Sequence, residues 1–297
     1  MSPCQDTRPI IDRRNTRPGQ GGFTLIEMVV VIIIIGILAL VIPTIIRGPM
    51  RAYVQIQQRA DLVDIAATAL QRMTREIRLA LPNSVRINSG NAVEFLRTLD
   101  GGRYRARPAP GPTGNVLNFT AQTGTFDFMG PLNNRARITA GAASGQAACL
   151  NGTVDCLVVF NTGQPGANAY DGDNIAAITA VGASSLSFNL TPAAHFPYRS
   201  PRQRFYVVDT PVSFICDTST GRITRYSGYP ISPGQPTVAS PPPGGNLLVD
   251  DVSACDFSYD PGTATRAGLV TLKITITEPS LGEKVSLLQQ VHVPNQP

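Results

Sequence analysis

Residues 19–43 read GQGGFTLIEMVVVIIIIGILALVIP, and the reading of this stretch decides how the rest of the chain is organised. From residue 28 to residue 46 the side chains are apolar almost without interruption. As a helix, a run of that length spans roughly 28 Å, close to the ~30 Å hydrocarbon core of a bilayer. A secretory signal peptide has a shorter core, about 7–15 residues, with a small-residue cleavage site behind it. Here the run is longer and no A-x-A follows it. A lipoprotein anchor is also a poor match, because Cys4 lies upstream of the run. Arg8, Arg13, Arg14 and Arg17 precede the run. By the positive-inside rule they hold the N-terminus in the cytoplasm, a bias softened by Arg47, Arg51 and Arg59 on the far side. The sequence therefore predicts one membrane-spanning helix at about residues 28–46.

Glu27 stands at the mouth of that helix. An ionised carboxylate in a bilayer costs several kcal/mol unless it is paired. Taken alone, Glu27 is either solvated at the interface or paired with a cation. Its neighbours favour pairing. Gly22-Phe23-Thr24-Leu25-Ile26-Glu27, behind a short basic leader and ahead of the apolar run, resembles the class III signal of type IV pilins and type II secretion pseudopilins. The resemblance implies that a prepilin peptidase cuts between Gly22 and Phe23 on the cytoplasmic side and N-methylates Phe23. Residues 1–22 would then be a leader that is removed. It also implies that Glu27 neutralises the N-terminal ammonium of a neighbouring subunit during filament assembly. The physics agrees, since two charges that are each costly in an apolar layer are tolerable as a pair. Pro43 falls near the family's helix-breaking proline and would kink the helix.

The implied partners are the prepilin peptidase/N-methyltransferase, other major and minor pilin subunits, and the inner-membrane assembly platform. The implied location is a single pass of the inner membrane with the C-terminal domain in the periplasm. After assembly it is a pilus on the cell surface or a periplasmic pseudopilus.

Beyond the membrane the helix is expected to continue to residue 81. Ile56, Ala60, Val63, Ala67, Leu70, Met73, Ile77 and Ala80 recur in steps of three and four and predict one packed stripe. Arg72 and Glu76 are spaced as an i,i+4 pair. Gly48-Pro49 predicts an interruption, and Leu81-Pro82-Asn83 a stop. The tract LQRMTREIRLALPNSVRI, residues 70–87, resembles the end of the first helix in the MshO-type minor pilin of mannose-sensitive haemagglutinin (MSHA) pilus systems. The J-type pseudopilin of type II secretion has a similar plan. Residues 23–297 are long for a major pilin, which points to a minor subunit.

From residue 82 to residue 297 the pattern changes to short β-branched and aromatic runs between Gly, Pro and Asn clusters. Strands are expected at 84–87 and 92–96 as a hairpin across NSGN. Others are expected at 116–119, 156–160, 174–178, 186–190, 205–208, 212–216 and 222–226. The clearest is LVTLKITIT at 269–277, with 285–293 as its partner. Residues 229–246, YPISPGQPTVASPPPGGN, read as a long surface loop. The fold class is α+β: a long N-terminal helix at 23–81 packed on a β-rich, disulfide-stapled domain.

Cys149, Cys156, Cys216 and Cys255 remain once the leader is gone. An even number in an exported domain suggests disulfides, with three connectivities possible. Cys149–Cys156 and Cys216–Cys255 are favoured, the second stapling the Pro-rich excursion. No C-x-x-C is present, and neither His195 nor His292 lies near the cysteines, so no metal site is expected. Asp171-Gly172-Asp173-Asn174 offers oxygen atoms suited to calcium but is more often simply a turn. No G-x-S-x-G, Walker A or H-E-x-x-H motif occurs. No enzyme activity and no cofactor are therefore expected. The net charge of +5 comes without a basic patch interleaved with aromatics, which argues against nucleic-acid binding.

Overall fold

The structure is a computed structural model that describes residues 22–108, 114–193, 195–263, 266–279 and 282–297. The leader as far as Gly21, with Cys4 and its arginines, lies outside the described residues. The protein is α+β. It separates into two units, Met1–Ile56 and Gln57–Pro297, each considered by itself.

Helix α1 covers Leu25–Ile77 and crosses that division. It runs through Gly48 and Pro49, where the sequence predicts an interruption, and through Pro43. Each proline removes one N–H and leaves the carbonyl four residues earlier without its helical donor. The loss is local, and helical bonding resumes on both sides. Next to Pro43, the Thr44 hydroxyl donates to the Val41 carbonyl at 2.7 Å. The helix also ends sooner than expected. After Ile77 the chain tightens through Leu79 and Ala80, and the Leu81 N–H donates to Leu96 O at 2.8 Å. Residues 80–81 thus pair with a strand instead of adding a helical turn.

In the second unit the helix buries Leu62, Ala66, Ala69, Leu70, Met73 and Ile77. This stripe is rotated from the predicted one in its first half. Ala60 is exposed, while Leu62 and Ala66 face inward. Phase is hard to read there because Leu62, Val63, Ile65, Ala66 and Ala67 offer two competing apolar faces. Glu76 is held mainly by Arg225, whose Nε lies 2.8 Å from each carboxylate oxygen, whereas Arg72 is 4.0 Å away.

The strands are β1 (Ala92–Tyr104), β2 (Thr123–Met129), β3 (Cys156–Val158), β4 (Ile175–Val181), β5 (Ser185–Asn189), β6 (Arg204–Asp217), β7 (Arg222–Ser227), β8 (Asn246–Val249), β9 (Val252–Asp260), β10 (Gly268–Thr277) and β11 (Lys284–Val293). A short helix α2 (Gln146–Leu150) precedes β3. Strands β1 to β8 form one antiparallel sheet in the order β1-β2-β5-β4-β3-β6-β7-β8, and β1 also pairs with β6. That extra pairing closes β1, β2, β5, β4, β3 and β6 into a barrel. Alternate residues point inward, as a closed barrel requires, and aromatic rings fill the interior. Phe126 meets Phe205 edge to face at 5.3 Å, and Phe188 lies 5.3 Å from Phe196.

Below the barrel, β1, β6, β7 and β8 share a second core with the helix stripe and with the separate sheet β11-β10-β9. Val270, Leu272, Ile274 and Ile276 of β10 all point into this core, following the alternation in the sequence.

Several strand expectations need correction. Residues 84–87 do not form a hairpin strand; they contribute one isolated bridge, Arg86 to Glu94. Residues 116–119 form no strand. The runs at 205–208 and 212–216 are a single strand, β6, that passes straight through Pro211. Proline is tolerated because its position falls in a gap on one side: β3 pairs as far as Val208, and β7 takes over at Val212.

Candidate functional site

The chemistry suggested by the sequence gathers at the start of α1. Residues 22–24 lead into the helix, and Thr24 acts as its cap. Thr24 Oγ1 accepts the Glu27 N–H at 3.3 Å, and Thr24 O accepts the Met28 N–H at 3.2 Å. Thr24-x-x-Glu27 therefore has the spacing of a capping box, a signal present in the sequence and missed there. A carboxylate in the first turn is also favourable at the positive end of the helix dipole. Glu27 makes no ion pair with any described residue.

The junction itself is open. A Cβ placed on Gly22 would meet nothing within 4 Å, and Phe23 is 75% exposed. The fold does not demand glycine there. The helix that follows is long and apolar enough to cross a membrane, and its apolar side chains from Leu25 to Ile46 are exposed.

The other candidates lie apart. Cys149–Cys156 and Cys216–Cys255 are both bonded. The first ties α2 to β3 beneath the barrel wall. The second does more than close the Pro-rich excursion, because it joins β6 to β9 and so links the two sheets. His195 and His292 are exposed and far apart in the chain. In the 171–174 turn the acids are already engaged. Asp173 accepts the N–H groups of Gly166 and Asn168, and Asp171 accepts from the Asn168 amide. Among the described residues no cluster of three or more His, Cys, Asp or Glu is placed to hold a metal.

The buried ionisable groups serve packing. Glu94 is 1% exposed; burial raises its carboxyl above the ordinary range, against the pull of Arg86 and Tyr229. Arg86 Nε donates to Glu94 at 2.5 Å, and the Tyr229 hydroxyl donates to the other oxygen at 2.9 Å. The Arg86 guanidinium stacks 3.6 Å over the Tyr170 ring and donates to the carbonyls of Ser232, Pro233 and Gly234. This network fastens the Pro-rich segment to β1. Sequence reading missed it because Arg86 and residues 232–234 are far apart in the chain.

The family model for the prokaryotic N-terminal methylation motif matches residues 17–43. No curated protein and no solved structure matches the chain. The chain thus carries a prepilin-type signal joined to an exposed apolar helix. Together these support a type IV pilin-like or pseudopilin protein that is processed by a prepilin peptidase and anchored in a membrane.

Proposed function

We propose that this chain is a minor pilin of an MSHA-like type IV pilus, inserted with its N-terminus in the cytoplasm, cut after Gly22 and methylated on Phe23. It acts in filament assembly and is not an enzyme. The observation that carries this reading is the open Gly22–Phe23 junction followed by an acid with no ion-pair partner among the described residues and a helix apolar on every side. Such an acid in an apolar layer is stabilised by a cation, and once the leader is removed a neighbouring subunit's ammonium would supply one. The tract at 70–87 supports the MshO-type assignment by its resemblance. The J-type pseudopilin shares the same signal and is the competing reading; recovery in sheared pili as against a secretion complex separates the two.

Two variants separate the charge of Glu27 from its side-chain bulk. Glu27→Gln removes the charge and keeps the side chain's size and polarity, whereas Glu27→Ala removes the side chain; the backbone N–H that donates to Thr24 Oγ1 is kept in both. We expect both variants to be inserted and cut normally, and both to be lost from filaments. Membrane fractionation, N-terminal mass spectrometry and co-purification with sheared pili provide the readout. Normal assembly of Glu27→Gln would overturn the ion-pair role.

A further inference from the structure

Arg103 on β1 and Arg204 on β6 are direct cross-strand partners. Side chains so paired share one face of the sheet with Cβ atoms about 5 Å apart, and like charges in that arrangement repel. Neither arginine makes an ion pair with a described residue; Arg103 reaches only the Gln203 side-chain oxygen, at 3.4 Å. Arg78, just past the end of α1, joins them. All three line one open cavity of about 520 Å³.

Among the described lining residues three arginines face a single acid, so the cavity carries a net positive charge. Its one acid, Asp100, is already engaged: Oδ1 accepts the Gly101 N–H at 2.8 Å and Oδ2 accepts the Asn134 N–H at 2.6 Å. Thr98, on the same wall, has a buried hydroxyl oxygen with no hydrogen-bond partner. The rest of the lining is largely apolar, including Leu79, Pro82 and Pro294.

We propose that this cavity binds a carboxylate carried on a small, partly apolar body. Guanidinium forks match carboxylate and phosphate alike. A bare phosphate would leave the apolar wall wetted, whereas a carboxylate with carbon behind it covers both kinds of surface. The volume falls in the ~300–1,000 Å³ range of small-molecule sites. An acidic sugar and the acidic side chain of a peptide both have this chemistry. The proposal stands on the cavity alone and does not depend on the pilin reading.

The test uses the full chain in non-ionic micelles and isothermal titration calorimetry with galacturonate, galactose, a doubly capped glutamate and inorganic phosphate. We expect saturable one-to-one binding of a carboxylate that weakens as salt rises and falls at least tenfold in Arg103→Gln and in Arg204→Gln. Galacturonate binding tighter than capped glutamate assigns a sugar acid; the reverse assigns a peptide. Without ligand, each substitution relieves the repulsion and raises Tm by about 1–2 °C, which a misfolded variant would not do. The proposal is overturned if no carboxylate saturates by about 10 mM, if galactose or phosphate binds as tightly as the carboxylates, or if Arg103→Gln and Arg204→Gln bind like wild type.

Discussion

Leu40 and Met73 lie on the same helix and are suited to opposite surroundings. Leu40 is 77% exposed and Met73 is fully buried, yet both are large apolar residues in regular helix. Around Leu40 the apolar residues occupy every face, so no rotation of the helix could hide them; that is the composition of a segment suited to lipid. Around Met73 they keep to one face, and Arg72, Arg75 and Arg78 are exposed. Hydrophobicity alone does not mark an interior. Periodicity separates a core from a membrane span.

The comparison can be broken most completely at Gly22. Because the fold leaves space for a side chain there, a bulky residue should leave the chain structurally intact and block only processing. We expect Gly22→Val to remain wholly uncut, as read by mass spectrometry of the N-terminus. Normal cutting would show that the open junction is not a peptidase site.

Within the second unit, the largest effect is expected from the bond between the sheets. Cys216→Ala with Cys255→Ala reopens a loop closed over a sequence separation of 39 and should cost roughly 4 kcal/mol. For a domain of this size that is a fall in Tm of roughly 8–16 °C by calorimetry. The same double substitution should leave N-terminal processing unchanged.

The direct contrast comes next. Met73→Ala empties a fully buried site and should cost about 2–4 kcal/mol in denaturant unfolding of the detergent-solubilised protein. Leu40→Ala should leave that transition unmoved. Equal effects from the two would erase the distinction drawn here.

The smallest effect is electrostatic. Burial raises the Asp155 carboxyl from 3.8 to about 6, with Asp209 adding to the shift while the Thr139 N–H and Arg97 oppose it. The folded chain then holds this proton more tightly than the unfolded chain. The resulting contribution to stability is full below about pH 4 and is lost as pH rises through 6. Asp155→Asn keeps an acceptor for the Thr139 N–H and should stabilise the protein by about 1–2 kcal/mol at neutral pH. Thermal unfolding between about pH 4 and 7.5 should show a flatter profile for the variant.

Much of the fold was legible because local signals carried it. The apolar run and the β10 alternation could be read directly from neighbouring residues, and the two cysteine pairs were the favoured ones of three possible connectivities. What escaped depended on distant partners. Strand β2, TGTFDFM, carries two glycine-spaced threonines and an aspartate, and becomes a strand because β1 and β5 flank it. Strand β6 looked like two runs because Pro211 divides it, and only the pairing with β1 shows its continuity. At the candidate site, the 22–27 signal was fully legible, being contiguous. The Thr24 cap could have been found from its T-x-x-E spacing. The arginine-lined cavity could not, since Arg78, Arg103 and Arg204 come together only when the barrel closes.

That closure also sets an order in time. Ala92 pairs with Ile215, so the first strand of the barrel must wait for the sixth, with more than a hundred residues arriving in between. Contacts so distant in sequence form slowly because the loop entropy is lost before they can contribute. Cys149 and Cys156 can meet while the chain is still emerging, but Cys216 and Cys255 cannot meet until nearly all of it has arrived. For that interval the β1 edge that β6 will cover, from Ala92 to Arg103, stands open to pairing with another chain.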